Sequence, residues 1–258
     1  MKIEQEIKRI ENFIVRLVKK SRAKGIITGL SGGIDSTTTL TICSRAIGKD
    51  KMLALILPCH SKESDLKDAI LVANHLNINY IIINLTEIYD SFVKTIGNLK
   101  FIKQINMERK IANANLKARL RMCTLYYFAN MLNYLVAGTG NKSEDDIGYF
   151  TKYGDSGVDF LPIQHLYKHE VRELARFLKI PEKIINRKPS AGLWEGQTDE
   201  DELSNQLGFN LTYDLLDEML ENIHANNYNK KDEKYKKLIE LMEINKHKIE
   251  LPPNLKRA

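Results

Sequence analysis

The sequence predicts an α/β protein with a Rossmann-like parallel β-sheet and helices on both of its faces. Short apolar runs alternate with longer segments of helical periodicity, the runs are continuously apolar, and a glycine-rich turn follows the first run and opens the next helix. The 258 residues, 43% hydrophobic and 28% charged, suffice for one large core, and residues 1–258 read as a single domain.

In chain order, Ile3, Ile7, Ile10, Ile14, Leu17 and Val18 recur at steps of three and four and predict an amphipathic packing helix. Strands buried on both faces are expected at 26–30, 52–57, 80–83 and 134–137, and helices at 37–47, 63–76, 107–131 and 169–178. No internal repeat or low-complexity linker interrupts them. After Gly138 the chain turns loop-rich, with GTGNKSE, TKYGDSG and PSAGLWEGQTDEDE. Ligands of open parallel sheets bind beyond the carboxyl ends of the strands, so function is expected in these segments.

Bulk properties exclude several classes. The first 20 residues lack the h-region of a signal peptide, and no apolar run approaches the roughly 20 residues that span a bilayer, so a cytoplasmic protein without membrane contact is expected. Cys43, Cys59 and Cys123 are far apart and form no CxxC pair, which predicts buried free thiols rather than disulfides or a zinc site. A net charge of +6 suits polyanionic ligands, nucleotide phosphates as well as nucleic acid. Lys230, Lys231, Lys234, Lys236 and Lys237 alternate with Asp232, Glu233 and Glu240 as on a solvated helix face.

The most informative stretch is Gly29-Leu30-Ser31-Gly32-Gly33-Ile34-Asp35-Ser36, between the strand IITGL and a helix. Glycines there let a phosphate approach the main chain, and the helix N-terminus offers unpaired amides. The plainer alternative is a tight turn whose Asp35 or Ser36 caps the helix. The Walker A pattern is absent, and no lysine lies in or just after the turn. The SGGxDS turn resembles the pyrophosphate-binding loop of the ATP pyrophosphatases, which transfer AMP and release pyrophosphate. That resemblance implies an adenine nucleotide α-hydrolase-like fold, ATP at residues 29–36 and magnesium on Asp35.

Further stretches narrow the resemblance. They are Asn115-Leu116-Lys117-Ala118-Arg119-Leu120-Arg121-Met122, GTGNKSE ending at Glu144, Phe150-Thr151-Lys152-Tyr153-Gly154-Asp155 with Asp159 after it, Leu161-Pro162, Lys168, the run from Pro189 to Trp194, His247-Lys248 and Pro252-Pro253. In this order, from about Gly25 to Pro253, the chain resembles the NAD synthetase family. A glycine is common in that family at Ser156, and one large branch has GTDHAAE in place of GTGNKSE.

Glu144 follows a strand ending in Gly138-Thr139, so it is expected over the same sheet edge as Asp35, completing a magnesium shell; an exposed glutamate at a helix start is the alternative. Thr139, between Gly138 and Gly140, is expected near the nucleotide. Lys168 begins a helix, where the dipole disfavours a cation, so a compensating anion is expected; a solvent-facing lysine is the alternative. The resemblance places Lys168 and Ser190 with ATP phosphates. It assigns Arg119, Lys152, Asp159, His247 and Lys248 to deamido-NAD, although Arg119 and His247 taken alone read as ordinary surface residues. Residues 197–203 fit a capping box between Thr198 and Asp201, and residues 191–196 also suit a mobile lid.

The implied reaction begins with attack of the nicotinate carboxylate of deamido-NAD on the α-phosphorus of ATP. Magnesium on Asp35 and Glu144, together with Lys168, neutralises the pyrophosphate, and ammonia displaces AMP. Roughly 25 residues before the first strand cannot encode an amidase domain, so free ammonia is the expected donor. The family further implies a homodimer, with no nucleic acid and no membrane as partners. Two rivals stand beside this reading: a transfer-RNA modifying relative, marked by salt-sensitive RNA binding, and a regulatory module that binds ATP without turnover.

Overall fold

The computed structural model describes residues 2–99, 109–190, 192 and 196–255. Four strands, β1 (Gly25–Gly29), β2 (Met52–Ile56), β3 (Tyr80–Ile82) and β4 (Tyr134–Ala137), form a parallel sheet in the order β3-β2-β1-β4. Ile27 of β1 pairs with Leu53 on one side and Val136 on the other. Phe160 adds one parallel bridge to Ala137. The chain thus builds outward from β1 through β2 to β3, then returns to β1's other side with β4. This reversal leaves a crevice beyond the carboxyl ends of β1 and β4, where the turn after β1 meets the GTGNKSE loop after β4.

Consecutive strand residues point to opposite faces and so serve separate cores. Ile26 packs with α1 (Ile3–Ser21), α2 (Ile34–Ile47) and α3 (Glu63–Leu76), whereas Ile27 packs with α4 (Thr86–Gly97) and α5 (Lys110–Leu132). The predicted packing role of the first helix is met by Ile7, Ile10 and Ile14, all buried. A third cluster joins α6 (Lys142–Asp146), α9 (Asp199–Leu207), α10 (Tyr213–His224) and α11 (Glu233–Ile249) through Ile147, Leu203, Leu216, Leu220 and Leu238. Between these lie α7 (Lys168–Phe177) and the short α8 (Glu182–Ile185).

Several expectations change. Residues 80–83 are not buried on both faces: β3 is an edge strand, with Ile81 39% and Ile82 43% exposed. α2 starts at Ile34, three residues before its expected start, because the turn leads directly into it. The predicted start of α5 at 107–108 lies outside the described residues. Cys123 is exposed, while Cys43 and Cys59 are buried, and all three are free. Lys236 and Lys237 are solvated as expected, while Leu238 of the same helix is buried. Among the described residues, no helix is long and apolar enough to cross a membrane.

Candidate active site

A cleft of about 680 Å³ opens at the carboxyl ends of β1, β2 and β4. Leu30 N–H donates to the Leu55 carbonyl at 2.8 Å, which holds the chain against β2 as it leaves the sheet. The Ser31 and Ser36 hydroxyls lie 3.0 Å apart, and Gly33 N–H donates to Ser31 Oγ at 3.2 Å. Gly33 occupies the N-cap of α2 with extended backbone and no side-chain cap. Neither Asp35 nor Ser36 therefore caps the helix, and its first amides face the cleft.

The two glycines divide their work. Gly32 has φ +76°, and a Cβ there would lie 2.7 Å from the Ala69 nitrogen of α3, so its missing side chain serves packing. Gly33 lines the cleft and Gly32 does not.

Asp35 projects across the crevice. Its Oδ2 lies 2.6 Å from Lys168 Nζ, and its Oδ1 accepts from Asn141 Nδ2 at 3.0 Å. Glu144 Oε1 lies 3.0 Å from the same ammonium. Asn141 and Glu144 form a reciprocal capping box that starts α6 and aims Glu144 back at the crevice. Lys168 is 1% exposed and stands 4.7 Å above the Tyr213 ring. Its anticipated compensating anions are Asp35 and Glu144, and the solvent-facing alternative is not observed.

Burial would lower the Lys168 pKa, but the two carboxylates outweigh it and hold the ammonium above its ordinary range. Burial also pushes the Glu144 carboxyl up to about 7, against the pull of Lys168. With two carboxylates to one ammonium, the group is short of positive charge. Among the described residues, Asp35 and Glu144 keep one oxygen each that meets only Asn141 amides, at 3.0 and 3.5 Å. Hard oxygen donors in a charge-deficient group fit a divalent cation shared with phosphates better than a closed protein cage. Among the described residues, no cluster of three or more His, Cys, Asp or Glu could hold a metal ion.

Behind Glu144 a polar network reaches α9. The Tyr213 hydroxyl is 3.4 Å from Glu144 Oε1 and 3.2 Å from Asp199 Oδ2, and Tyr149 OH donates to Glu202 at 2.7 Å. Burial drives the Tyr213 pKa well above its ordinary value, so the phenol stays protonated. Asp201 N–H donates to Thr198 Oγ1 at 3.2 Å, capping α9 with the anticipated pair. Ser190 lines the cleft and accepts from Gly192 N–H at 3.1 Å. The proposed lid residues 191 and 193–195 lie outside the described residues. Thr139 and Gly138 also line the cleft, and a Cβ on Gly138 would meet the Val158 and Leu161 side chains at 2.7 and 2.5 Å.

Four of the five residues expected at the dinucleotide share one wall. Arg119 Nη2 donates to the Lys152 carbonyl at 3.2 Å, Lys152 Nζ donates to the His247 carbonyl, and Lys248 Nζ donates to the Gly148 carbonyl at 2.8 Å. Asp159 stands apart. It accepts from Val136 N–H at 2.8 Å and from Tyr126 OH at 3.2 Å, and it does not line the cleft. The carboxylate that does line this wall is Asp155, which accepts from Thr151 N–H at 2.9 Å.

Sequence reasoning gave no role to Asn141, Tyr213 or Arg187. Arg187 Nη2 lies 2.6 Å from Asp65, and its Nη1 donates to the Gly32 carbonyl at 3.3 Å, bracing the turn against α3. Asn141 sat within a recognised run and could have been read as an N-cap. Tyr213 offers no such signal, because an aromatic at a helix start reads as core.

A glycine-rich turn at the switch point of an open parallel sheet, with a carboxylate pair and a buried lysine beside it, defines the pyrophosphate-loop class of nucleotide-binding α/β proteins. Residues 6–252 match the family described as NAD synthase. An NH(3)-dependent NAD(+) synthetase of Archaeoglobus fulgidus is 46% identical over 255 residues, 98% of this chain and 97% of the relative. One from Methanocaldococcus jannaschii is 44% identical over 261 residues, 97% and 96% of the two chains. Among solved structures, an NMN synthetase from Francisella tularensis has a TM-score of 0.85 at 30% identity, with 100% of both chains covered. An NH3-dependent NAD synthetase from Campylobacter jejuni has a TM-score of 0.80 at 31% identity, covering 99% of this chain and 100% of that one. The chain belongs to the NAD synthase family.

Proposed function

We propose that this chain makes NAD from deamido-NAD, ATP and ammonia. A nicotinate carboxylate oxygen attacks the α-phosphorus, the bond to the bridging oxygen breaks, and pyrophosphate departs. Ammonia then attacks the acyl carbon, AMP leaves with the former carboxylate oxygen, and the nitrogen loses a proton. The observation that carries this reading is the buried Lys168 bridging the half-buried Asp35 and Glu144 carboxylates, beside a glycine-rich turn that lacks a lysine of its own.

In this account the amides opening α2, with Ser31 and Ser36, hold the β- and γ-phosphates, and Thr139 and Ser190 add hydroxyl contacts. Lys168 neutralises charge on the departing pyrophosphate. Asp35 and Glu144 would hold magnesium, which when bound with ATP supplies further positive charge at the phosphates. Arg119, Lys152, His247 and Lys248 hold the dinucleotide, where cations suit its pyrophosphate. Asp159 serves that end of the site by fixing β4. No side chain is needed as a covalent nucleophile; positioning and charge do the work.

A homodimer is part of the proposal. Ile88, Phe92 and Ile96 of α4 are exposed, as are Ile111, Tyr127 and Met131 of the neighbouring α5, an apolar surface that favours a second copy. Sedimentation of a monomer at micromolar concentration would contradict it.

The functional test is incubation of the purified chain with ATP, magnesium, ammonium and either deamido-NAD or nicotinate mononucleotide. Formation of NAD from the dinucleotide, matched by AMP, is expected. The similarity to an NMN synthetase favours the mononucleotide as second reading, and amidation of that substrate alone would establish it. ATP that is bound yet stays intact with both substrates would contradict either reading.

A further inference from the structure

We infer that Asp217 is a positioning residue for adenylation, because its buried carboxylate ties together the chain neighbours of Glu144 and Lys168. The inference rests on the roles proposed above for those two side chains. Asp217 lies on α10, 2% exposed and outside the cleft lining, so it touches no substrate. Its Oδ1 accepts from Ser143 Oγ, and its Oδ2 accepts from His169 N–H at 2.9 Å and faces His169 Nδ1 at 3.0 Å. Ser143 Oγ in turn accepts from Lys168 N–H at 2.9 Å.

These partners are the first turns of two helices. Ser143 directly precedes Glu144 at the start of α6, and His169 directly follows Lys168 at the start of α7. The Lys168 and His169 amides have no carbonyl partner within their own helix, and the dipole of α7 favours an anion at that end. One carboxylate therefore accepts from the start of α7 and from the Ser143 hydroxyl of α6, and so fixes the spacing between the backbones of Glu144 and Lys168. That spacing lets Lys168 Nζ meet Glu144 at 3.0 Å and Asp35 at 2.6 Å together. Apolar side chains form the core of this helical layer, including Leu216 and Leu220 on α10 itself. An aliphatic residue would pack there without the desolvation cost of a carboxylate but would not aim the two helix starts.

The test compares Asp217→Ala, Asp217→Asn and Ser143→Ala with the unaltered chain, and repeats Asp217→Ala in a Lys168→Met background. Readouts are kcat for pyrophosphate release, KM for Mg-ATP and for deamido-NAD, and thermal unfolding. Asp217→Ala is expected to lower kcat roughly 10- to 100-fold, the range for groups that orient a metal's ligands, with KM for deamido-NAD unchanged. Asp217→Asn is expected to restore most of that loss, since its carbonyl still accepts from His169 N–H and its amide still reaches Ser143 Oγ. In the Lys168→Met background Asp217→Ala is expected to cost less than it does alone, because only the aim of Glu144 is then left to lose.

A normal kcat from folded Asp217→Ala, or a loss that multiplies in the double variant, would overturn the inference. Should Asp217→Ala fail to fold, Ser143→Ala decides: a lowered kcat supports the clamp and a normal kcat overturns it. Failure of the underlying reading looks different, since Lys168→Met would then itself turn over at the normal rate and take the inference with it.

Discussion

Lys168 shows how a residue's surroundings decide its function. A lysine at a helix start is disfavoured by the dipole and costly to bury, yet this one is 1% exposed because Asp35 and Glu144 flank it. Replacing it by methionine leaves the two carboxylates facing each other without a cation. Lys168→Met is expected to slow pyrophosphate release by about 100- to 1,000-fold, as for loss of one preorganised charge-stabilising group. It should also destabilise the free chain by about 3–5 kcal/mol, the cost of removing one partner of a buried pair. Stopped-time assays and urea unfolding check the two effects; an unaltered rate would remove Lys168 from the chemistry. At this scale the sequence was partly legible. Asp35, Glu144 and Lys168 stood in recognisable runs, but that one ammonium bridges both carboxylates depends on three segments meeting across the crevice. Tyr213 and Asp217 left no sequence signal, because a tyrosine and an aspartate near a helix start satisfy ordinary packing and solvation equally well. Asp159 is the converse: it stood out in sequence, and its carboxylate is occupied by Val136 N–H and Tyr126.

Elements were legible where burial imposed a simple period. The runs at β1, β2 and β4 are apolar because helices cover the sheet, and their ends fall within a residue or so of the expected positions. β3 failed the same reasoning, since an apolar run does not disclose whether a helix covers its far side. The helices α9 and α10, together with α11, pack against one another rather than the sheet, so no strand marks their place. The turn before α2 yields a paired prediction. Gly32→Ala places a Cβ 2.7 Å from Ala69 N at φ +76°, and the left-handed backbone alone costs roughly 1–2 kcal/mol. Gly33→Ala meets only Ser31 Oγ, at 3.3 Å, but crowds the cleft. Thermal unfolding should therefore fall mainly for Gly32→Ala, and ATP affinity should fall in Gly33→Ala with less loss of stability. Equal effects of both changes on both measurements would contradict this division. A second element-level contact links α1 to the segment before α7, where Glu6 lies 2.7 Å from His165 and 2.8 Å from Arg9. Partial burial opposes the Glu6 carboxylate, but His165 and Arg9 outweigh it and hold its pKa below the ordinary 4.5. A lowered folded-state pKa means the contribution is present above pH 4.5 and fades as pH falls through the folded value. Glu6→Gln should thus unfold more easily than the unaltered chain at pH 7, and the difference should shrink at pH 3.5. A difference that grows on acidification would reverse the sign.

At the scale of the whole molecule, the sheet's switch point brings the phosphate-binding turn and the GTGNKSE loop together, and the α9–α11 layer closes the crevice from above. The Tyr213, Asp199, Tyr149 and Glu202 contacts wire that layer to Glu144. The fold class and the position of the glycine-rich turn were available from sequence because both are local patterns. The cover was not, since its position depends on how the last third of the chain folds back over the strands. Every role assigned above depends on the chain activating a carboxylate by joining it to AMP. Deamido-NAD labelled with heavy oxygen in both carboxylate positions tests it most directly, with the AMP formed under turnover analysed by mass spectrometry. The account predicts one heavy oxygen in each AMP and the other in the NAD amide; unlabelled AMP, or ADP with orthophosphate in its place, would contradict it.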